Sequence, residues 1–165
     1  KERLYDRSSW QLDKTGKTAS GTALVSPLGL SRGLLFSALK HIRPDRAIVI
    51  TSQQSMAGIQ DIIGIAEWQG ELIVLLMEEP FTGFGETRKL VRKIQPVLEA
   101  SDEVIINITG GTTAMQYVMQ AAAESANNQK IPIKTIALVD RRSPADQKAN
   151  PYILGEIVWL DERVI

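Results

Sequence analysis

Short apolar runs alternate with stretches of helical hydrophobic periodicity along most of this 165-residue chain. The runs at residues 46–51, 72–77, 103–108 and 134–139 are largely apolar, as strands are when helices cover both faces of their sheet. Strands that alternate with helices pair in parallel, because a parallel connection needs a crossover. The alternation therefore predicts an α/β, Rossmann-like domain with a mostly parallel central sheet and helices on both faces.

The same pattern predicts the individual elements. Strands are predicted at residues 22–26, 46–51, 72–77, 103–108 and 134–139, with a last extended segment at 157–160. Helices are predicted at residues 30–42, 58–67, 86–98 and 112–127, and the second of these contains two glycines, which disfavour helix. Pro27 and Gly29 are expected to end the first strand, and residues 53–55, 81–85 and the stretch after 139 are predicted as loops.

The chain is long enough for one domain, which we assign to residues 22–165. Residues 1–21 are polar and rich in Ser, Thr, Lys and Asp, and they are predicted to be a flexible tail or linker. A linker at this end suggests a neighbouring domain in a longer protein.

Composition narrows the classes of function. Nineteen basic residues balance nineteen acidic ones, whereas a domain that grips long nucleic acid usually carries a basic excess. With no cysteine, the chain has no disulfide, thiolate nucleophile or cysteine-ligated zinc. No apolar run is long enough to span a bilayer, so we expect a cytoplasmic protein with no membrane contact.

The strongest motif lies where the strand at 103–108 leads into the helix at 112–127. It consists of Asn107, Thr109, Gly110, Gly111, Thr112 and Thr113. The paired glycines can adopt positive φ, and a threonine can cap the helix, whose first amides then attract an anion. The same residues would also serve as a capped turn that binds nothing.

A second motif, Ser26-Pro27-Leu28-Gly29, opens the first helix in the same way. Its serine could donate to a phosphate, while the leucine and glycine shape a pocket wall. A capped turn without a ligand is the alternative. In open parallel sheets both motifs would meet at the carboxyl ends of the strands, together with Gln53 after the second strand.

Arg141 follows the strand at 134–139 and could pair with a phosphate. Its alternatives are solvation or an ion pair with Asp140 or Asp146. His41, the only histidine, is placed near the end of a helix, where it is expected to cap the C-terminus. One histidine and no cysteine give little support to a catalytic triad or a metal site, and no cofactor is indicated.

The run from Asn107 to Met115 closely resembles the signature of CARF domains, the CRISPR-associated Rossmann-fold sensors. The turn at Ser26 to Gly29 resembles the other ligand loop of that family. The resemblance extends as strand–helix order over about residues 22–161. It implies a homodimer that binds cyclic oligoadenylate, usually the tetra- or hexa-adenylate, across its two-fold axis and regulates an attached or partner effector, such as a nuclease or a DNA-binding domain.

Under this resemblance, Gly110, Gly111, Thr112 and Thr113 would cradle phosphate. Ser26 and Leu28 would oppose them, and Asn107, Thr109 and Gln53 would read ribose or adenine edges. Many family members carry lysine where this chain has Thr113. That difference favours a sensor without catalysis, and it leaves as alternatives a metal-independent ring nuclease that uses the ribose 2′-OH, or a generic nucleotide-binding module.

Overall fold

The computed structural model describes residues 21–160, which form a six-stranded sheet with the order β3-β2-β1-β4-β5-β6. The strands are β1 (Thr22–Leu28), β2 (Arg46–Thr51), β3 (Glu71–Leu76), β4 (Glu103–Asn107), β5 (Ile133–Val139) and β6 (Glu156–Leu160). The α-helices are α1 (Arg32–Ile42), α2 (Gln53–Met56), α3 (Ile59–Ala66), α4 (Thr87–Glu99), α5 (Thr113–Asn128) and α6 (Pro144–Ala149).

The first five strands pair in parallel, and β6 runs antiparallel to β5 at one edge. The predicted α/β, Rossmann-like class with a mostly parallel sheet is therefore confirmed. Apart from Gly21, the predicted tail lies outside the described residues, as do the last five residues of the predicted domain.

Two apolar layers sandwich the sheet. One layer packs α4 and α5 against the strands, with residues such as Ile94, Leu98 and Met119 fully buried. The other packs α1 and α3 against the opposite face, with Leu35 and Ile62 at its centre. Both faces of β1, β2 and β4 are thus covered, which explains why these strands read as continuous apolar runs.

The first strand is longer than predicted. Pro27 does not end it, because β1 continues to Leu28 in register with β2. The pairing of β1 with β4 ends at Val25 and Ile106. Pro27 therefore lies where β1 has a strand neighbour on one side only, a position that tolerates a residue without an amide hydrogen.

Three predicted loops contain short helices, and the one in the loop at residues 81–85 is a 3₁₀ helix, Gly83–Glu86. Ser52 caps α2 by accepting a hydrogen bond from the Ser55 amide, so residues 53–55 are helical. Ser143 accepts from the Asp146 amide at the start of α6, and proline stands at the first position of that helix. Serine followed by proline is a recognised helix start, and this signal in the sequence could have predicted α6.

The prediction that His41 caps α1 was wrong. Arg43, in the left-handed conformation at φ 46°, ends the helix, and its amide donates to the Leu39 carbonyl. The His41 Nε2 atom lies 2.7 Å from the Gly155 carbonyl oxygen, and the Gly155 amide donates to Ser37 Oγ at 2.9 Å. Both contacts tie the segment before β6 to α1.

Within residues 21–160, no helix combines the length and the apolar character needed to cross a membrane.

Two helical glycines offer a matched test of packing. A Cβ on Gly33 in α1 would lie 2.3 Å from the Pro151 carbonyl oxygen, whereas one on Gly64 in α3 would meet no atom within 4 Å. We expect Gly33→Ala to lower the free energy of unfolding by about 1–3 kcal/mol, because the backbone near Pro151 must shift.

Gly64→Ala is the control, and it should raise the free energy of unfolding by about 0.5–1 kcal/mol through its gain in helix propensity. Urea titrations followed by circular dichroism measure both. Equal effects of the two substitutions would contradict the packing of α1 against residue 151.

Candidate functional site at the carboxyl ends of the strands

The central strands β1 and β4 lie side by side, and the helices that follow them pack on opposite faces of the sheet. The loops after these two strands therefore diverge, which opens a crevice at the carboxyl edge. Ligands of doubly wound sheets bind at such switch points. This arrangement brings the two sequence motifs together, as the fold class predicted.

Two glycines bring the loops into contact. A Cβ on Gly29 would lie 3.1 Å from Gly111 Cα, which leaves little room for any larger side chain. A Cβ on Gly111 would lie 2.7 Å from Pro27 Cβ and 3.0 Å from Met115 Sδ. The backbone of one motif thus packs directly on that of the other.

The turn before α5 depends on left-handed backbone. Gly110 has φ 93° and Gly111 has φ 70°, values that side chains other than glycine strongly disfavour. The Gln116 Nε2 atom donates to the Gly110 carbonyl at 2.7 Å, so the helix holds the turn that precedes it.

Thr112 caps α5 and links it to the loop after β3. Its hydroxyl oxygen accepts from the Met115 amide at 3.2 Å and donates to the Pro80 carbonyl. The Gln116 amide makes the first backbone bond of the helix, to the Thr112 carbonyl. The amides of Thr113 and Ala114 therefore have no acceptor within α5, and the positive end of the helix dipole lies beside them.

Asn107 lies beneath the turn and is fully buried. Its Nδ2 donates to Ser26 Oγ at 3.0 Å, and its Oδ1 accepts from the Thr109 amide at 3.0 Å. Ser26 is also fully buried, and its hydroxyl donates to the Pro27 carbonyl. In this structure Asn107 and Ser26 join the two motifs from below and hold both loops.

Thr109 also helps to hold the turn that precedes α5. Its hydroxyl oxygen accepts a hydrogen bond from the Leu138 amide at 2.9 Å, which ties the end of β4 to β5. Pro27 and Leu28 are buried under the Gly29 turn. These side chains build the floor on which the glycine turns rest.

An open groove of about 840 Å³ lies above this floor. Its lining includes the predicted residues Gly29, Gln53, Gly110, Gly111, Thr112 and Thr113. Leu30, Ser31, Ser52, Gln54, Ser55 and Phe81 also line it, although the sequence assigned none of them a ligand contact. Each of these residues follows one of the first three strands at the carboxyl edge, and this position is the signal that marks them as lining.

The groove has polar walls with little charge. Among the described residues that line it, Glu78 alone is ionisable. Two large apolar side chains, Leu30 and Phe81, border the groove and are 82% and 79% exposed. An anion in this groove would meet backbone amides, hydroxyls and carboxamides rather than arginine or lysine.

Arg141 does not line the groove. Its Nε donates to Glu156 Oε2 at 2.8 Å, and its side chain is 78% exposed. The neighbouring Arg142 donates two hydrogen bonds to the Asp140 carboxylate, from Nε and from a terminal nitrogen. These hydrogen bonds lower the pKa of Asp140. Arg141 thus forms an ion pair, the kind of contact that the sequence left open as an alternative, but its partner is Glu156 and neither Asp140 nor Asp146.

No group of three or more His, Asp and Glu side chains that could hold a metal ion occurs within residues 21–160.

Comparison with known proteins gives matches among solved structures, while no protein-family model and no curated protein matches. Of the 24 solved chains that match, one is Can2 from Sulfobacillus thermosulfidooxidans in complex with cyclic tetra-adenylate. The alignment has a TM-score of 0.58 and covers 72% of this chain at 17% identity. The two chains share a fold. The match covers 32% of the Can2 chain, so this chain spans about a third of that protein's length.

At this level of identity the likeness concerns the fold. The shared fold is the α/β arrangement with a mostly parallel sheet that the strand order shows.

The buried contacts of Asn107 generate a prediction. We expect Asn107→Ala to lower the free energy of unfolding of the ligand-free protein by about 1–3 kcal/mol, because it removes two buried hydrogen bonds. Gln53→Ala is the control, since Gln53 is exposed and should change stability by less than about 0.5 kcal/mol. Urea titration separates the two, and an Asn107 variant as stable as the control would contradict the supporting role.

Proposed function

We propose that this chain is a sensor domain that binds cyclic oligoadenylate, of four or six nucleotides, in the groove at the carboxyl ends of β1 to β4. The observation that carries the proposal is the double-glycine turn, which leaves the first amides of α5 beside a large open groove. The fold shared with a protein solved in complex with cyclic tetra-adenylate supports it.

The phosphates would bind to backbone rather than to cationic side chains. The amides from Gly111 to Ala114 precede the first backbone bond of α5, and helix starts of this kind attract anions. The Thr113 side chain is exposed at the same place and adds a hydroxyl donor. A phosphate can approach these amides closely only if residue 111 lacks a side chain. The packing of Gly111 on Pro27 also excludes a side chain at this position.

The rest of the groove offers contacts for adenosine. Gln53 and Gln54 present exposed carboxamides, which can pair with the edges of a base. Phe81 projects an exposed aromatic ring at the border of the groove, and aromatic rings stack on bases with about 1–3 kcal/mol each. Leu30 supplies a second exposed apolar surface in the lining of the groove.

Two copies of the chain would share one ligand. A ring of four or six identical nucleotides has two-fold symmetry, so a homodimer can present the same groove to both halves of the ring. Binding would then regulate an attached or partner effector through a change at the dimer.

The groove favours binding without cleavage. Attack by a ribose 2′-OH develops negative charge on the phosphate, which enzymes stabilise with positioned donors or cations. None of the described lining residues is cationic, Thr113 stands where many family members have lysine, and the Ser26 hydroxyl is buried and bonded. A ring nuclease is therefore the less supported alternative.

Ligand binding is testable by thermal shift with cyclic tetra- and hexa-adenylate. At a hundredfold excess over Kd, binding should stabilise the protein by roughly 2.7 kcal/mol. Thr113→Glu should bind at least roughly tenfold more weakly, because its carboxylate repels phosphate, yet it should leave the free protein as stable or slightly more stable. Thr113→Gln is the matched neutral control and should retain most of the affinity.

Absence of a shift with both rings at saturating concentration would remove the proposal. A larger shift with a mononucleotide than with either ring would favour the generic nucleotide-binding module instead. Overnight incubation with labelled ring followed by chromatography should return intact ligand, and linear product would establish the ring nuclease.

A further inference from the structure

Residues 77–86 connect β3 to α4, and we call them the β3–α4 loop. The loop begins at buried Met77, whose amide donates to the Thr51 carbonyl of β2, and ends in the 3₁₀ helix Gly83–Glu86. Between these points it carries Phe81 at the border of the ligand groove. The aromatic ring of Phe81 is mostly exposed, so its position depends on the backbone that carries it more than on packing of the ring itself.

A single carboxylate holds the start of this loop. Glu86 Oε1 accepts a hydrogen bond from the Glu78 amide at 2.8 Å, and Glu86 Oε2 accepts one from the Glu79 amide at 3.0 Å. Hydrogen bonds from backbone amides to an ionised carboxylate are roughly twice as strong as those between neutral groups. Both carboxylate oxygens of Glu86 therefore fix the two residues that precede Pro80 and Phe81.

Gly83 makes room for that carboxylate. Gly83 is buried, and a Cβ at this position would lie 2.1 Å from Glu86 Oε2, so a larger residue would displace the carboxylate. The Gly83 and Thr82 amides both donate to the Glu79 carbonyl, at 2.6 Å and 3.2 Å, which closes a tight turn around Phe81. A Cβ on Gly85, in contrast, would meet no atom within 4 Å.

The second attachment of the β3–α4 loop is to the proposed phosphate site. The Pro80 carbonyl accepts from the Thr112 hydroxyl, whose oxygen also caps α5. The residue before Phe81 is thus fixed to α5, while Glu86 fixes the two residues before Pro80. Glu86 itself does not line the groove. Any effect of its side chain on the position of a ligand must therefore pass through the backbone of the loop.

We propose that Glu86 is a positioning residue of the ligand site, which holds the β3–α4 loop so that the aromatic ring of Phe81 stacks on a base of the ligand. The inference rests on the proposed binding of cyclic oligoadenylate. It differs in sign from a purely electrostatic role of Glu86. A carboxylate near the groove repels an anionic ligand, so its neutralisation would tighten binding by charge alone. Loss of a positioned Phe81 would weaken binding, because a base loses its stacking surface.

Glu86→Gln separates the two roles, because it keeps the size of the side chain and removes the charge. The carboxamide oxygen can still accept from one amide, but the NH₂ group would face the N–H of the other. We expect the Kd for cyclic tetra-adenylate, measured by isothermal titration calorimetry, to rise roughly fivefold or more. Glu79→Gln is the matched control, since it makes the same change of charge in the same loop at an exposed residue that bonds to Glu86 only through its backbone amide. Its Kd should change by less than about twofold, because solvent and salt screen an exposed charge.

Gly83→Ala disturbs the same contact from the other side, because its Cβ occupies the place of the Glu86 carboxylate. It should raise the Kd for cyclic tetra-adenylate by a factor similar to that of Glu86→Gln. Gly85→Ala is its control, since the added Cβ has free space, and it should leave the Kd unchanged. Circular dichroism checks that each variant folds. If Gly83→Ala does not fold, Glu86→Gln, which adds no bulk, carries the test.

A double-mutant cycle with Phe81→Ala tests whether Glu86 acts through the aromatic ring. Phe81→Ala alone should raise the Kd roughly fivefold or more. In the Phe81→Ala background, Glu86→Gln should raise it by less than about twofold further, because the group that Glu86 positions is already absent. An equal effect of Glu86→Gln with and without Phe81 would assign Glu86 a general structural role and overturn the inference. Unchanged or tighter binding by Glu86→Gln would overturn it as well.

Hydrogen exchange of the ligand-free protein checks the contact itself. The amides of Glu78 and Glu79 should exchange more slowly in the native chain than in Glu86→Gln, and equal rates in the two proteins would contradict the role of the carboxylate. The titrations keep the two proposals apart. A native chain that binds no cyclic oligoadenylate removes the sensor function and this role with it, whereas native and Glu86→Gln chains that bind equally well remove the positioning role alone.

Discussion

The crevice depends on the contact between Gly29 and Gly111, where the backbones that leave β1 and β4 approach within the reach of a single Cβ atom. These strands are the centre of the sheet, and their helices depart to opposite faces. Any side chain at either glycine would push the two loops apart and tilt the start of α5. The direction of the first amides of α5, and with it the proposed phosphate site, follows from this contact.

A buried polar network below the glycines holds the same region from the other side. The Asn107 side-chain amide donates to the Ser26 hydroxyl, and its side-chain carbonyl accepts from the Thr109 backbone amide. The Thr109 hydroxyl oxygen accepts in turn from a backbone amide of β5. Buried polar groups are costly unless satisfied, and satisfied networks make one arrangement of the backbone strongly preferred. The motif thus combines two roles, with glycines and Thr113 at the surface of the groove and Asn107 beneath it.

Sequence reasoning was most successful where a local pattern determines the structure. Apolar runs such as residues 46–51 gave the strands, and the Gly110–Gly111 pair gave the left-handed turn before α5. It could not assign Asn107 to the interior, since a polar residue at a strand end can point to solvent or to a neighbouring strand. That choice depends on Ser26, which is 81 residues away in the chain. The partner of Arg141 was equally hidden, because β6 brings Glu156 beside it only in the folded protein.

The distribution of charge bears on how the groove would select a ligand. The chain has no net charge, and the groove at the strand ends has no cation among its described lining residues, while α4 concentrates four basic residues on a neighbouring surface. Backbone amides recognise a phosphate by position, so a groove built from them selects a ligand whose phosphates are spaced to match. Because the basic residues of α4 lie outside this groove, geometry, more than long-range electrostatic attraction, would select the ligand.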